Sequence, residues 1–332
     1  MSLKCDAVFQ GGGVKGIGLA GAVAAIEKAG YEFVNLAGSS AGAIVSALIA
    51  VGYSSDELKE ELKQLDYLKL KQEGFLSTLG LPGKIVNVIL RYGIYSADYF
   101  EDWLESLLQK KNKTLFKDIV TEFAEEKYRY KFNAIASDLT DKRMLVLPGD
   151  LKRFGCDPDE YSIAKAVRMS MSLPGFFEPF KLKDADGKEH IIVDGGLLSN
   201  YPIWLLDDNS KNPPWPTVGF KFSTDLKDDQ EPAPSIKPVA AVKGLFNYAK
   251  SVLSTMLDAH DKYHISTSNG DFERTILIST KLETDGARKQ INTTDFDITR
   301  EESDELFSNG YRAAEKFLAA WDFDEWVQKY RV

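Results

Sequence analysis

Residues 33–51 read Phe-Val-Asn-Leu-Ala-Gly-Ser-Ser-Ala-Gly-Ala-Ile-Val-Ser-Ala-Leu-Ile-Ala-Val, and the fold turns on how this stretch is divided. No charged residue occurs between Phe33 and Tyr53, a length at which one apolar helix would span a membrane. The run Gly38-Ser39-Ser40-Ala41-Gly42 in its middle argues for another division: a strand over Phe33–Ala37, a tight turn, and an Ala/Ile/Val-rich helix over Ala41–Val51. Gly-x-Ser-x-Gly between a strand and a helix is the nucleophile-elbow pattern. Glycines on both sides allow close backbone approach, and the Ser40 oxygen is held at the positive end of a helix. Ser39 fails the pattern and is the poorer nucleophile.

The same alternation extends outward. Ala7-Val8-Phe9 reads as a buried strand entering Gly11-Gly12-Gly13-Val14-Lys15-Gly16. Helically spaced Ile17, Leu19, Ala20, Val23, Ala24 and Ile26 follow, with Gly30 placed to end that helix. Short turns between strands and helices predict a mostly parallel sheet covered on both faces. Further strands are predicted at Tyr130–Ala136, Met144–Leu147, His190–Val193, Thr217–Phe222 and Thr275–Ser279, with a helix over Ser162–Met171. Helical regions are expected over 55–116, broken by Gly80-Leu81-Pro82-Gly83, and over 239–265 and 301–330. A Pro/Lys/Asp-rich loop is expected at 225–238. No internal repeat is present, and the continuous pattern favours one domain over 1–332, with a helical insertion near 55–116 and a helical region from 239 onward.

The glycine cluster presents backbone N–H groups at a helix start, an arrangement that stabilises anions. It also satisfies Gly-x-Gly-x-x-Gly, but a dinucleotide site wants a carboxylate at the end of the second strand. That strand ends here in Ala37-Gly38-Ser39-Ser40. A phosphate-binding P-loop fails too, because Ile17 stands where lysine should be. Glycines that merely close a tight turn are the plainer alternative.

The 332 residues carry 41 Lys and Arg against 50 Asp and Glu, a net charge of −9, which disfavours nucleic acid as the main partner. Two cysteines, Cys5 and Cys156, make no disulfide framework. The start MSLKCDAVFQGGG runs directly into the first strand without a secretory pattern, so a cytoplasmic setting is expected and the sequons at Asn112 and Asn292 carry little weight.

A hydroxyl nucleophile needs a base, and the chain has only three histidines: His190, His260 and His264. Asp194, at a predicted strand end before Gly195-Gly196, is the more suggestive partner, although Asp-Gly-Gly also makes ordinary turns. An order Ser40, Asp194, then His260 or His264 would suit an α/β-hydrolase triad, but the elbow comes early for that fold. Asp258, His260, Asp261 and His264 could suggest metal ligands; the other cues of a zinc site are absent, and a solvated helix face is the simpler reading. Residues 73–95, apolar with Gly and Pro breaks, suit either a lid or an interior helix pair. The stripe along Val242–Leu257 suits core. Lys15, Arg168 and the run Lys110, Lys111, Lys113 and Lys117 are the local cations available to a phosphate.

Together these motifs resemble the patatin-like phospholipases, especially the bacterial-type members: GGGVKG at 11–16, GSSAG at 38–42 and DGG at 194–196 occur in the family's order. AVRMSMSLPGFFEPF at 166–180, LLSNYPIWLL at 197–206 and TTDFDIT at 293–299 extend the resemblance over nearly the whole chain. It implies a three-layer α/β/α fold and a catalytic dyad in place of a triad. Ser40 would be the nucleophile, Asp194 the base, and the amides of Gly11, Gly12, Gly13 and Ala41 the oxyanion hole. Lys15, Gly16, Gly38, Gly42, Gly195 and Gly196 would support the motifs. Lys15 stands where the family often has arginine, so positive charge is kept but a planar bidentate donor is lost. The implied substrate is a phospholipid or lysophospholipid ester, cleaved without metal or cofactor and with at most transient contact to a membrane or micelle. A catalytically silent lipid-binding member of the fold is the non-enzymatic alternative. The negative charge predicts action on dispersed or neutral lipid esters without tight resting membrane binding.

Overall fold

Apolar runs bounded by glycine or polar residues become the central strands, as the alternation requires. The structure, a computed structural model, describes residues 3–65, 95–123, 125–208, 210–223, 269–284 and 287–331. β1 (Leu3–Phe9) leads through a short 3-10 turn at Gly13–Lys15 into α1 (Gly16–Lys28). β2 (Tyr31–Ser39), α2 (Ala41–Val51), α3 (Ser55–Gln64) and α4 (Asp98–Lys110) follow. Next come β3 (Phe132–Asp138), β4 (Arg143–Leu147), α5 (Ile163–Ser170), β5 (Phe180–Lys183), β6 (Glu189–Asp194) and the single turn α6 (Gly196–Ser199). β7 (Thr217–Ser223), β8 (Thr275–Ser279), β9 (Lys281–Thr284), β10 (Ala287–Gln290), α7 (Arg300–Leu318) and α8 (Phe323–Tyr330) complete the described elements.

The main sheet runs β5-β6-β3-β2-β1-β7-β8, with β4 paired to β3. β3, β2, β1, β7 and β8 are mutually parallel, while β4, β6 and β5 join antiparallel. The sheet is therefore mixed and mostly parallel, with helices packed on it in three layers. The two-residue period of β1 shows the layering: Ala7 and Phe9 face the large core under the helices. Val8 faces a smaller cluster with Ala37, Tyr201, Ile203 and Leu206. β8 extends the sheet, and α7 packs along both β8 and α1, so the C-terminal part builds on the same core.

The central stretch divides as read, into β2 and α2 around Ser40. Gly30, at φ +87°, follows α1 in the left-handed conformation that ends helices. Three features go beyond or differ from the sequence reading. The helix predicted over 301–330 is two, because the Asp322 side chain accepts the Glu325 amide (2.9 Å) and starts α8 anew. The strand β5 and the hairpin β9–β10 are additional; their short, charge-rich sequences FKLK, KLET and ARKQ give no buried-strand signal. β6 enters antiparallel, a direction that the sequence pattern left open. The expectations for 73–94, 225–238 and 239–265 lie outside the described residues. Among the described residues, no helix is long and apolar enough to cross a membrane.

Candidate active site

Ser40 sits between β2 and α2 at φ 51° and ψ −121°, a backbone conformation that costs a non-glycine residue about 1–3 kcal/mol. Neighbouring glycines make this turn possible. A Cβ at Gly42 would collide with the Phe9 carbonyl, and one at Gly38 with the backbone of Gly42. The turn is held by its hydrogen bonds. The Ser40 amide donates to Ser170 Oγ (3.0 Å), and the Ser40 carbonyl accepts the amides of Ala43 (2.9 Å) and Ile44 (3.2 Å). Ser39 is fully buried, and its hydroxyl donates to the Ser199 carbonyl (2.6 Å), which leaves Ser40 as the hydroxyl turned to the site.

Strand register brings Asp194 to the same level. Ser39 pairs with Ile135 across β2–β3, and Ala136 pairs with Asp194 across β3–β6. The Asp194 amide donates to the Ser172 carbonyl (2.9 Å) and the Gly195 amide to the Ser170 carbonyl (3.1 Å). Asp194 is 2% exposed: Oδ1 accepts the Gly196 amide (2.7 Å), whereas Oδ2 is buried and meets no donor at hydrogen-bonding geometry among the described residues. Burial pushes the Asp194 pKa up to about 6, against smaller opposing effects from the Gly196 amide and the nearby Ser40 hydroxyl.

The glycine loop faces the same turn. The Gly11 amide donates to the Asn200 carbonyl (3.0 Å), which commits it to holding the loop. The amides of Gly12, Gly13 and Ala41 have no hydrogen-bond acceptor among the described residues. Lys15 places its ammonium 4.8 Å from the centre of the Phe222 ring. A narrow cavity of about 50 Å³ reaches Ser40 and is walled chiefly by apolar side chains, among them Ile44, Val45, Leu62, Phe100 and Phe177.

Other candidates lie elsewhere. Arg168 is not open to a phosphate: it is 5% exposed, with its guanidinium donating to Ser172 Oγ and to the Glu178 carbonyl (2.9 Å), where it braces the segment before β5. Three lysines of the basic run are paired, Lys110 with Glu61, Lys111 with Glu57 and Lys117 with Glu160. His190 is buried, its Nδ1 2.8 Å from Asp138 Oδ2 and its Nε2 3.3 Å from Asp184 Oδ2. Burial alone would lower its pKa, but these carboxylates and Asp141 outweigh burial and raise it. Asp138, Asp141 and His190 hold ligand-type atoms within 4.8 Å of one another, the one such group among the described residues. His260 and His264 lie outside the described residues, and the triad and metal readings built on them lie there too.

Sequence reasoning missed Ser170, Asn200, Thr293 and Phe296 as site residues. All four belong to segments already noticed, at 166–180, 197–206 and 293–299, but only the fold turns Ser170 and Asn200 toward Ser40 and Gly11. Thr293 and Phe296 reach the pocket from far along the chain.

Residues 7–207 match the family model of the patatin-like phospholipases. The chain belongs to the patatin-like phospholipase family. It is 38% identical over 321 residues to the protein YqhO of Bacillus subtilis, covering 96% of this chain and 99% of that one. It is 29% identical over 192 residues to an NTE family protein of Mycobacterium tuberculosis, covering 58% of this chain and 42% of that one. The solved structure of VipD from Legionella pneumophila shares the fold at a TM-score of 0.53 and 17% identity, over 95% of this chain and 67% of that one. Lipid acyl hydrolysis is the activity of the family, and the motifs read at 11–16, 38–42 and 194–196 all fall inside the matched region.

Proposed function

We propose that this patatin-like chain is a serine acyl hydrolase that cleaves fatty acyl esters of phospholipids or lysophospholipids through a Ser40–Asp194 dyad. The observation that carries this reading is the buried Asp194 carboxylate, its Oδ2 without a donor at hydrogen-bonding geometry among the described residues and with Ser40, which lines an apolar cavity, close by. An exposed aspartate is a poor base for an alcohol; desolvation raises its proton affinity toward the working pH. Asp194 takes the Ser40 hydroxyl proton as the oxygen attacks the ester carbonyl, and an acyl-enzyme forms as the alcohol leaves with that proton. Water then attacks the acyl-enzyme while Asp194 accepts its proton, and the fatty acid departs as Asp194 passes that proton to the Ser40 oxygen, restoring the hydroxyl and the carboxylate.

The amides of Gly12, Gly13 and Ala41 are the donors we assign to the tetrahedral oxyanion, each contributing about 3 kcal/mol to the transition state. Gly11 is left out of that set because its amide is already donated to Asn200. The apolar lining suits an acyl chain, and Lys15 in the glycine loop suits a headgroup phosphate. We further propose that residues 1–332 act as one domain, in a cytoplasmic setting, with transient contact to lipid surfaces.

A fluorophosphonate probe tests the nucleophile, and a lipid panel with product identification tests the substrate class. Labelling of the wild type but not of Ser40→Ala, with release of fatty acid, is expected. No labelling of the folded wild type would leave the silent lipid-binding reading in its place. Retained activity in His260→Ala and His264→Ala separates the dyad from a triad.

A further inference from the structure

The wall of the Ser40 cavity is not made by the family-matched region alone. Thr293 and Phe296 line it, although the match to the family ends at residue 207. They sit in a turn that is rigid by its own hydrogen bonds. Asp295 Oδ2 accepts both the Asn292 amide (2.8 Å) and Asn292 Nδ2 (3.1 Å), and the Phe296 amide donates to the Thr294 carbonyl (2.9 Å). Thr299 then caps α7 by accepting the Glu302 amide (3.1 Å), and α7 is packed on α1. The turn is also tied to the glycine loop. The Thr293 carbonyl accepts the Val14 amide (3.3 Å) and leaves no room for a side chain at Gly13.

Phe296 is the large side chain this turn puts into the wall. It is 7% exposed, and its ring stacks on Phe176 at 5.0 Å and 28°. Phe176 in turn meets Phe177 edge-on (5.2 Å) and Tyr95 (5.0 Å). Phe177 lines the same cavity from the segment after α5, and Leu62 and Phe100 line it from α3 and α4. An aromatic ring so buttressed cannot swing aside without breaking the stack, so the space beside Ser40 has a fixed limit on this side.

We infer that Phe296 is a specificity-determining residue: it sets the length of the single fatty acyl chain that the site accepts beside Ser40. This rests on the hydrolase reading above. The chemistry of the wall fits one class of occupant, the alkyl part of an ester, because extra methylenes are favoured only where apolar surface and space continue. The turn that carries Phe296 also steadies the glycine loop through Thr293, so the acyl wall and the proposed oxyanion donors are built on one support.

The experiment measures kcat/KM for wild type, Phe296→Ala and Phe296→Leu on a series of p-nitrophenyl esters of increasing acyl length, with folding checked by circular dichroism and thermal melting. Truncation is expected to move the preferred chain length upward, with the long-to-short ratio of kcat/KM rising about tenfold or more in Phe296→Ala and less in Phe296→Leu. A general loss of packing would lower all esters together and leave that ratio unchanged. If Phe296→Ala does not fold, the ratio in Phe296→Leu decides. Wild-type turnover with profiles that superimpose in the folded variants overturns the role of Phe296 alone. No wild-type turnover of any ester, with Ser40→Ala as the blank, overturns the hydrolase reading and this inference with it.

Discussion

Two buried aspartates in this sheet, Asp194 at the end of β6 and Asp6 within β1, are both pushed up to about pKa 6 by burial. Their surroundings differ. At Asp6 the β1–β2 register slips, from Cys5 opposite Phe33 to Ala7 opposite Leu36, so β2 carries an extra residue. Asp6 Oδ1 fills the irregularity by accepting both the Asn35 amide (2.9 Å) and Asn35 Nδ2 (2.9 Å). At Asp194 one oxygen is satisfied by Gly196 and the other is left open near Ser40. A raised pKa therefore marks burial in both regions; the open oxygen beside a strained serine is what distinguishes a candidate site from a repaired strand.

The largest effect that sharpens this contrast is at Asp194. Asp194→Asn is expected to lower kcat for ester hydrolysis by about three orders of magnitude or more, and Ser40→Ala likewise. In the wild type, kcat/KM should rise with pH through about 6 as Asp194 ionises, a profile measurable with a neutral ester. Stability should move the other way. A carboxylate whose pKa is raised on folding weakens the fold as pH climbs from its ordinary value, about 4, to the folded one. At pH 7 the asparagine variant should therefore be more stable by up to about 3 kcal/mol, with the difference vanishing below about pH 4. Chemical denaturation at several pH values checks it, and a destabilised, still active Asp194→Asn would break the comparison.

The next effect is smaller and concerns how the two halves of the proposed dyad are held. Ser170 binds the Ser40 amide through its side chain and the Gly195 amide through its carbonyl. Ser170→Ala keeps the second bond and loses the first, so kcat should fall about tenfold with KM little changed. Ser170→Thr, which restores the hydroxyl, should recover part of the loss. A KM effect without a kcat effect would remove Ser170 from the positioning of Ser40.

The smallest effect on activity belongs to Asp6. Asp6→Ala should leave kcat/KM within about twofold, while at about pH 5 it costs roughly 1–3 kcal/mol of stability, because the Asn35 donors lose their acceptor. Ester kinetics beside a urea titration tests both parts. A large loss of activity in this variant would erase the distinction between the two aspartates.

What was legible in the sequence was local. Gly38 and Gly42 flank Ser40 at the spacing a strand–turn–helix needs, and the collisions that a side chain would meet at each explain why glycine stands there. The Asp-Gly-Gly after an apolar run marked Asp194 in the same way. Arg168 shows the limit: an arginine near a site motif read as a phosphate ligand, yet packing turned it inward to hold Ser172 and the Glu178 carbonyl. The break between α7 and α8 was missed because an aspartate cap looks like any charged helix residue until the backbone shows it accepting an amide.

The amino-acid sequence by itself determined the strand–turn–helix around Ser40, the glycine loop and the choice of Asp194 as the candidate base, because each depends on residues a few positions apart and on backbone sterics. The antiparallel entry of β6, the desolvation of Asp194, the anchoring of Ser40 by Ser170 and the arrival of Phe296 in the cavity wall were decided only by the tertiary structure. Each joins residues far apart in the chain, and burial and hydrogen-bond partnership exist only once the sheet and helices have packed.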